Sequence, residues 1–172
     1  MLTPFQQAVE HCLTNLDQYA QDAYPWPGPT LLAALRETPV PANPDPTARF
    51  LGVVAVPVPP TDWQHPDGPA GALRLVAADL HHPLFHAQLA GAVGGIRIVA
   101  WVFMRAEAIT KGHGTGQRRC IDAVDLNGAA YAVTRQRDHS NGLVAVDDTP
   151  DIGSSEILTV LHSLARMAHP GN

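Results

Sequence analysis

Cysteine is scarce in this sequence, since only Cys12 and Cys120 occur among its 172 residues. Two cysteines cannot form the disulfide framework of a small secreted domain, and they lack the paired spacing of a zinc knuckle. Cys12 falls on the apolar face of a predicted helix and Cys120 lies in a predicted strand. These positions are typical of buried, unreactive thiols. Free thiols of this kind favour a cytoplasmic protein.

Charged residues are also scarce, at 16% of the chain, and the net charge is -5. A nucleic-acid partner held through its phosphates requires a basic surface, and so does an anionic membrane. We therefore expect neither as a partner. No run approaches the roughly 18 apolar residues of a transmembrane helix. The N-terminus lacks the basic and then apolar segments of a secretory signal.

The rest of the composition is that of a folded chain, because 45% of the residues are hydrophobic. A chain of 172 residues suits one domain over residues 1–172, which can bury roughly 70% of its unfolded surface. The 16 prolines and 14 glycines are concentrated in segments that we interpret as connections between elements.

Residues 96–104 form a nearly unbroken apolar run that is rich in β-branched and aromatic side chains. Such a run predicts an inner strand that is covered on both faces. Alternation should place Ile96, Ile98, Ala100, Val102 and Met104 on one face, and Val99, Trp101 and Phe103 on the other. The other predicted elements are arranged around this strand.

Two Asn-Gly pairs predict the chain reversals that follow. Asn127-Gly128 separates predicted strands over 118–126 and 129–137. Asn-Gly favours a type I′ hairpin turn, which needs positive φ at both central residues. Asn141-Gly142 ends a polar stretch and leads into a strand over 143–146.

Charged residues flank this predicted ribbon. Arg135 and Arg137 share a face with two apolar residues of the same strand, so we expect that strand to run out of the core. Paired carboxylates can perform acid-base chemistry or bind cations. We favour solvated turn acids instead, because acidic residues are rarely buried. The acidic residues concerned are Asp122, Asp125, Asp147, Asp148 and Asp151.

Helices are predicted at both ends of the chain. Thr3 and Gln6 form a capping box ahead of a helix over 4–21, whose apolar stripe comprises Phe5, Val9, Cys12, Leu13, Leu16 and Tyr19. Gly153 or Ser154 caps a second helix over 154–168. The other predicted elements are a short helix over 30–37, strands over 50–58 and 72–79, and a short helix over 83–89. This order predicts an α+β fold with a largely antiparallel sheet of about six strands and long terminal helices. Profilin-like and secretion-chaperone-like domains have a similar order.

The densest cluster of candidate metal ligands comprises Asp79, His81, His82 and His86. Histidines four residues apart share a helix face, as zinc ligands do. However, His82 precedes a proline, which disfavours helical backbone angles there. We therefore favour a polar helix entry and keep a divalent metal as the alternative; no other cofactor is expected.

A glycine-rich segment carries three basic residues, Lys111, Arg118 and Arg119. Glycine-rich backbone can form an anion-binding nest. Phosphate loops, however, lie between a strand and a helix, whereas a strand is predicted to follow here. We favour a mobile hairpin loop over 111–119, with anion binding as the alternative.

Residues 97–103 and 119–137 together resemble uncharacterised small α+β proteins of high-GC Gram-positive bacteria. Those proteins pair an apolar strand with a hairpin in which an aspartate precedes the turn and Tyr-x-x-Thr-Arg follows it. These two stretches comprise 26 of the 172 residues, and their motif is structural. The likeness implies a cytoplasmic α+β protein and assigns no catalytic residues.

No complete catalytic motif occurs in the sequence, so we lean towards a non-catalytic protein-binding or adaptor domain, with a homodimer as one arrangement. Trp26 and Trp63 lie in proline-rich segments, where they either pin the loop or form a binding surface; we favour pinning. The alternatives are a small metal-dependent enzyme using the histidine cluster and an anion-binding regulator using the segment 111–119.

Overall fold

The structure is a computed structural model that describes residues 1–45, 47–80, 97–111, 114–137 and 142–167. Three α-helices and six strands occupy these ranges. In chain order they are α1 (Pro4–Ala23), β1 (Leu31–Pro39), β2 (Arg49–Ala55), α2 (Gly68–Leu80), β3 (Arg97–Lys111), β4 (Gly114–Asp125), β5 (Ala130–Gln136), β6 (Leu143–Asp147) and α3 (Glu156–Met167). The predicted short helix over 83–89 lies outside the described residues.

The six strands form one sheet in the order β2-β1-β3-β4-β5-β6, and every neighbouring pair is antiparallel. Helix α1 covers one face, while α2 and α3 cover the other. The predicted α+β class, with an antiparallel sheet and helices at both ends, is confirmed. Strand β3 is an inner strand with apolar cores on both faces, also as predicted. None of the helices in the described ranges has the length and apolar character needed to cross a membrane.

Helix α1 begins at the predicted capping box, since Gln6 N–H donates to Thr3 Oγ1 and Thr3 N–H donates to Gln6 Oε1. Its apolar stripe differs from the predicted one at the C-terminal end. Tyr19 is 60% exposed, and Asp17 and Ala20 are buried in its place. Asp17 faces the sheet because it accepts a hydrogen bond from Arg119 of β4.

Two predictions of secondary structure are wrong. Residues 30–37, predicted as a helix, form most of β1, which pairs with β2 on one side and β3 on the other. Residues 72–79, predicted as a strand, belong to α2, whose buried residues include Leu73, Val76, Ala77 and Leu80. That spacing of three, one and three residues is the periodicity of a buried helix face.

Strand β3 contains a bulge that changes the predicted assignment of its faces. Leu35 of β1 lies opposite Ala100 and the next residue, Arg36, lies opposite Ile98, so Val99 is the extra residue. Ile98 consequently joins Trp101 and Phe103 beneath α2 and α3, whereas Val99 and Ala100 both lie beneath α1. The predictions that Ile98 shares a face with Ala100, and that Val99 shares a face with Trp101, are therefore wrong.

The turn at Asn127-Gly128 reverses the chain as predicted, but its type differs. Gly128 has φ of +86°, while Asn127 is not among the residues with positive φ. Gly128 N–H donates to Asp125 O, and Asp125 N–H donates to Ala129 O. This is a three-residue hairpin loop, a type I turn followed by a left-handed glycine. Asn141, of the second predicted turn, lies outside the described residues.

The segment predicted as a mobile loop, 111–119, is mostly strand in the part that the structure describes. Strand β3 extends to Lys111, and β4 begins at Gly114. The helix predicted over 154–168 is confirmed as α3. Its N-cap is Ser155, whose Oγ accepts from Leu158 N–H, rather than Gly153 or Ser154.

Candidate functional site

The predicted metal cluster falls largely outside the described residues, since His81, His82 and His86 lie there. Asp79 is described and occupies an exposed position near the end of α2. Within the described ranges, no group of three or more His, Cys, Asp or Glu side chains is arranged to hold a metal ion. A metal site at these four residues remains a prediction.

The predicted anion-binding residues do not converge where they are described. Arg118 and Arg119 are adjacent in β4, so their side chains project to opposite faces. Arg118 forms an ion pair with Glu107 of β3, with Nη2 2.5 Å from Oε2. Arg119 is 1% exposed and lies beneath α1. Lys111 is the last residue of β3.

Arg119 belongs to a buried ionic network that fastens α1 to the sheet. Its Nε donates to Asp17 Oδ1 over 2.8 Å, and Arg135 Nε donates to Asp17 Oδ2 over 2.7 Å. All three residues are at most 4% exposed. The prediction that the strand runs out of the core at its charged end is therefore wrong for Arg135, because a carboxylate from α1 meets that guanidinium inside, whereas Arg137 is exposed.

The remaining donors of Arg119 secure the segment after α1. Nη1 donates to Pro27 O over 3.0 Å, and Nη2 donates to the Asp17 carbonyl and to Gln21 Oε1. The guanidinium also lies 5.2 Å from the centre of the Trp26 ring. Trp26 thus pins its proline-rich segment, as predicted. Since Arg119 is engaged on all sides, we interpret this network as structural.

Two further candidates from the sequence also have structural contacts. Asp125 is buried and accepts hydrogen bonds from Asn127 N–H, Ala129 N–H and Tyr131 Oη. It is therefore a turn residue but not a solvated one. Asp122 forms an ion pair with Arg105. Burial raises the pKa of Cys120 to about 11, which makes its thiol unreactive at neutral pH.

A groove with a volume of about 1090 Å³ lies beside β2. Helix α1 forms one wall, through Cys12, Asn15, Leu16 and Tyr19. The segment after β2 forms another wall, through Val58, Pro60, Trp63 and Gln64. The floor comprises five residues of β2: Phe50, Leu51, Gly52, Val53 and Ala55. We call this cavity the edge groove.

The edge groove follows the unpaired side of an edge strand. Val56 N–H donates to Leu32 O, and Val40 N–H donates to Ala48 O, at the two ends of the β1–β2 ladder. In an antiparallel ladder, residues facing the partner strand alternate with residues facing away. Residues 50, 52 and 54 therefore point their main-chain groups at β1. Residues 51, 53 and 55 point theirs into the edge groove.

Only part of this edge is open. The thiol of Cys12 lies 3.9 Å from Leu51 O and occupies that acceptor weakly. Pro57, two residues beyond Ala55, has no N–H to donate. The N–H and C=O groups of Val53 and Ala55 therefore form the open portion of the edge.

The described lining of the edge groove is apolar and uncharged. No Asp, Glu, Lys or Arg occurs in it, and its polar members include His11, Asn15 and Gln64. Tyr19 and Phe50 are 60% and 62% exposed, so large apolar surfaces face solvent. Exposed apolar surface that is concentrated around an open strand edge is typical of an interaction site.

This site was not predicted from the sequence, although some of its signals are present there. Trp63 does pin its segment, because its ring lies 5.6 Å from the Phe103 ring, yet it also lines the edge groove. The prolines after residue 56 mark β2 as an edge strand. The groove itself depends on the position of α1 relative to β2, which sequence spacing does not specify.

Comparisons of the chain with protein-family models, with curated proteins and with solved structures gave no match. No relative therefore suggests a substrate, a partner or a catalytic residue. The chemical character of the edge groove is the remaining guide to function.

Proposed function

We propose that this protein is a non-catalytic protein-binding domain, and that it binds an extended segment of a partner protein as a seventh strand on β2. The observation that carries the proposal is the position of the edge groove. It occupies the space beside β2 in which a further strand would lie. The main-chain groups of Val53 and Ala55, which have no hydrogen-bond partner among the described residues, face into it. Strand addition of this kind is a common mode of peptide recognition.

The surroundings of the open edge suit a strand that is covered on both faces. Leu51, Val53 and Ala55 share the side of the sheet that faces α1, where Cys12, Leu16 and Tyr19 form a wall. On the opposite side, the Phe50 ring lies against Gly52, whose Cβ position would be 3.1 Å from Phe50 Cε1. Side chains that alternate along an added strand would therefore meet apolar surface on each face.

The edge groove offers little for catalysis. Among its described lining residues, the side chains able to act as a general base or a nucleophile are His11, Cys12, Tyr19, Tyr24 and Thr30. Burial raises the pKa of Cys12, which disfavours the nucleophilic thiolate at neutral pH. Paired carboxylates, which most acid-base mechanisms without histidine use, are absent from the described lining.

Two other occupants compete with a partner segment. A small apolar molecule is one, although a volume of about 1090 Å³ exceeds the usual range of roughly 300–1,000 Å³ for such sites. A second copy of the chain, pairing β2 with β2, is the other. A small molecule would leave the main-chain groups of Val53 and Ala55 unpaired. A second copy would pair with them and would differ from a foreign segment in forming a concentration-dependent dimer.

Peptide selection from a random library displayed on phage, with the intact protein as target, tests the proposal. Selected peptides should bind the protein and bind V53P about tenfold or more weakly, because proline removes an outward-facing donor. V53A keeps that donor and should bind the selected peptides much more tightly than V53P does. L75D changes an exposed residue of α2, outside the groove, and should bind like the original protein.

Three results would overturn the proposal. One is a library that yields no binding peptide. Another is a set of peptides that bind V53P as tightly as V53A. The third is a dimer in sedimentation experiments that V53P dissociates, which would make a second copy the occupant. Thermal unfolding of each variant checks that its fold is retained.

A further inference from the structure

We infer that the segment bound in the edge groove is uncharged over the roughly five residues that pair with the open edge, a length of about 17 Å when extended. This inference rests on the proposed function and adds the chemistry of the partner. It excludes acidic and basic segments equally, and it limits the recognised stretch to the neighbourhood of Val53 and Ala55.

The length follows from the two ends of the open edge. Towards β2's N-terminus, the Cys12 thiol contacts Leu51 O. Towards the other end, Pro57 lacks the donor that a longer ladder would need. Between these limits, Val53 and Ala55 are therefore the two residues of β2 whose main-chain groups face a partner strand. Flanking residues of the partner lie beyond the ladder, where water can reach them.

The neutral character of the bound segment follows from the described residues that line the edge groove. Leu16 and Ala20 of α1 are buried, and Met104 of β3 lies behind them at 1% exposure. A charged side chain inserted against this surface would lose its hydration without gaining a counter-ion. The nearest network of charges in α1, at Asp17, is already paired with Arg119 and Arg135 and faces the sheet.

The overall charge of the protein supplies a contrasting expectation. A net charge of -5 would attract basic segments if long-range electrostatics selected the partner. Local desolvation predicts instead that a lysine is rejected as strongly as a glutamate. The two explanations therefore differ in their response to a basic peptide.

A substitution series in one library-selected peptide tests the inference. The residue opposite Val53 is replaced in turn by Glu, Gln, Lys and Met, so that each charged residue has a neutral partner of similar length. Glu and Lys should each weaken binding by about 100-fold relative to Gln and Met. The same charges placed outside the paired residues should weaken it by less than about tenfold.

Reciprocal variants of the protein sharpen this test. Asn15 is an exposed residue of α1 that lines the groove. N15K should restore binding of the Glu peptide and not of the Lys peptide, and N15D should do the reverse. Binding of the Lys peptide within about tenfold of the Met peptide would overturn the inference, since it would show that a charge is tolerated there. The proposed function would survive that result if V53P still weakened binding of the neutral peptides.

Discussion

Arg119 and Asp17 form a buried ion pair, with Nε 2.8 Å from Oδ1, and it joins the middle of β4 to α1 across 102 positions of sequence. Their side chains are 1% and 2% exposed. The same carboxylate also accepts a hydrogen bond from Arg135 Nε of β5. One aspartate therefore pairs with two buried guanidiniums and fixes the wall of the edge groove against the sheet.

Replacing Asp17 should strongly destabilise the fold. D17N keeps the size of the side chain but removes the carboxylate that pairs with the buried Arg119 and Arg135 guanidiniums, so we expect a loss of about 3–5 kcal/mol in the free energy of unfolding. Urea denaturation measures this loss. D22N, at an exposed position where the carboxylate accepts only from Gln18 among its described hydrogen bonds, should change stability by less than about 0.5 kcal/mol. A loss below about 1 kcal/mol in D17N would contradict the structural role.

The phenol of Tyr131 stabilises the hairpin between β4 and β5. It donates to Asp125 Oδ2 over 2.7 Å, and both residues are 1% exposed. Y131F should therefore reduce the free energy of unfolding by roughly 1–3 kcal/mol, because the carboxylate loses a buried donor. Y19F, at an exposed tyrosine, is the matched control and should be nearly neutral. Equal stability of the two variants in urea denaturation would refute this role.

Alkaline pH should destabilise the protein through Cys120. Burial raises the pKa of this thiol from 9.0 to about 11 in the folded state. Its contribution to stability is fully present below pH 9 and is lost as the pH rises towards 11, because the unfolded state releases the proton first. Urea denaturation at a series of pH values should show this decline. C120A should show a shallower decline, and parallel pH profiles for the two proteins would contradict the assignment.

Gly128 is required by the conformation of the turn. Its φ of +86° disfavours any residue with a Cβ, so G128A should cost about 1–2 kcal/mol. Gly116 of β4 is the control, because its φ is not in the left-handed region and an added Cβ would lie 3.5 Å from Ile109 Cγ1, an ordinary contact. Denaturation curves that rank G116A as the less stable variant would oppose this interpretation.

The class of the fold was predictable because its strongest signals are local. The capping box at Thr3, the apolar run of β3 and the Asn-Gly turn each specify their own element. The bulge at Val99 was not predictable, since it depends on how β1 pairs with β3. One extra residue there moves Ile98 to the opposite core.

The two elements whose type was predicted incorrectly, β1 and α2, show what a local sequence pattern cannot specify. Leu31, Leu32 and Leu35 have spacing that a helix also satisfies, and leucine favours helices. This segment pairs with β2 and β3, and both of its faces are covered. A strand in such a position needs no alternation of apolar and polar residues. In α2, residues 72–79 were predicted as a strand, although the alanine content and the spacing of the buried residues fit a helix.

The buried network could have been anticipated in part. Arg135 alternates with Tyr131 and Val133, and Asp17 lies on the inner side of α1 among apolar residues. Opposite charges on two apolar faces predict that those faces meet. The edge groove had no comparable signal, because it is a gap between α1 and β2 rather than a property of either element.

Hydrogen exchange at single amides, followed by NMR with and without a library-selected peptide, tests strand addition at β2 most directly. The Val53 and Ala55 amides face the edge groove, so they should exchange quickly in the free protein and at least about tenfold more slowly with bound peptide. The Val54 amide faces β1 and should be protected in both states. Unchanged exchange of Val53 and Ala55 at saturating peptide would show that no strand is added there.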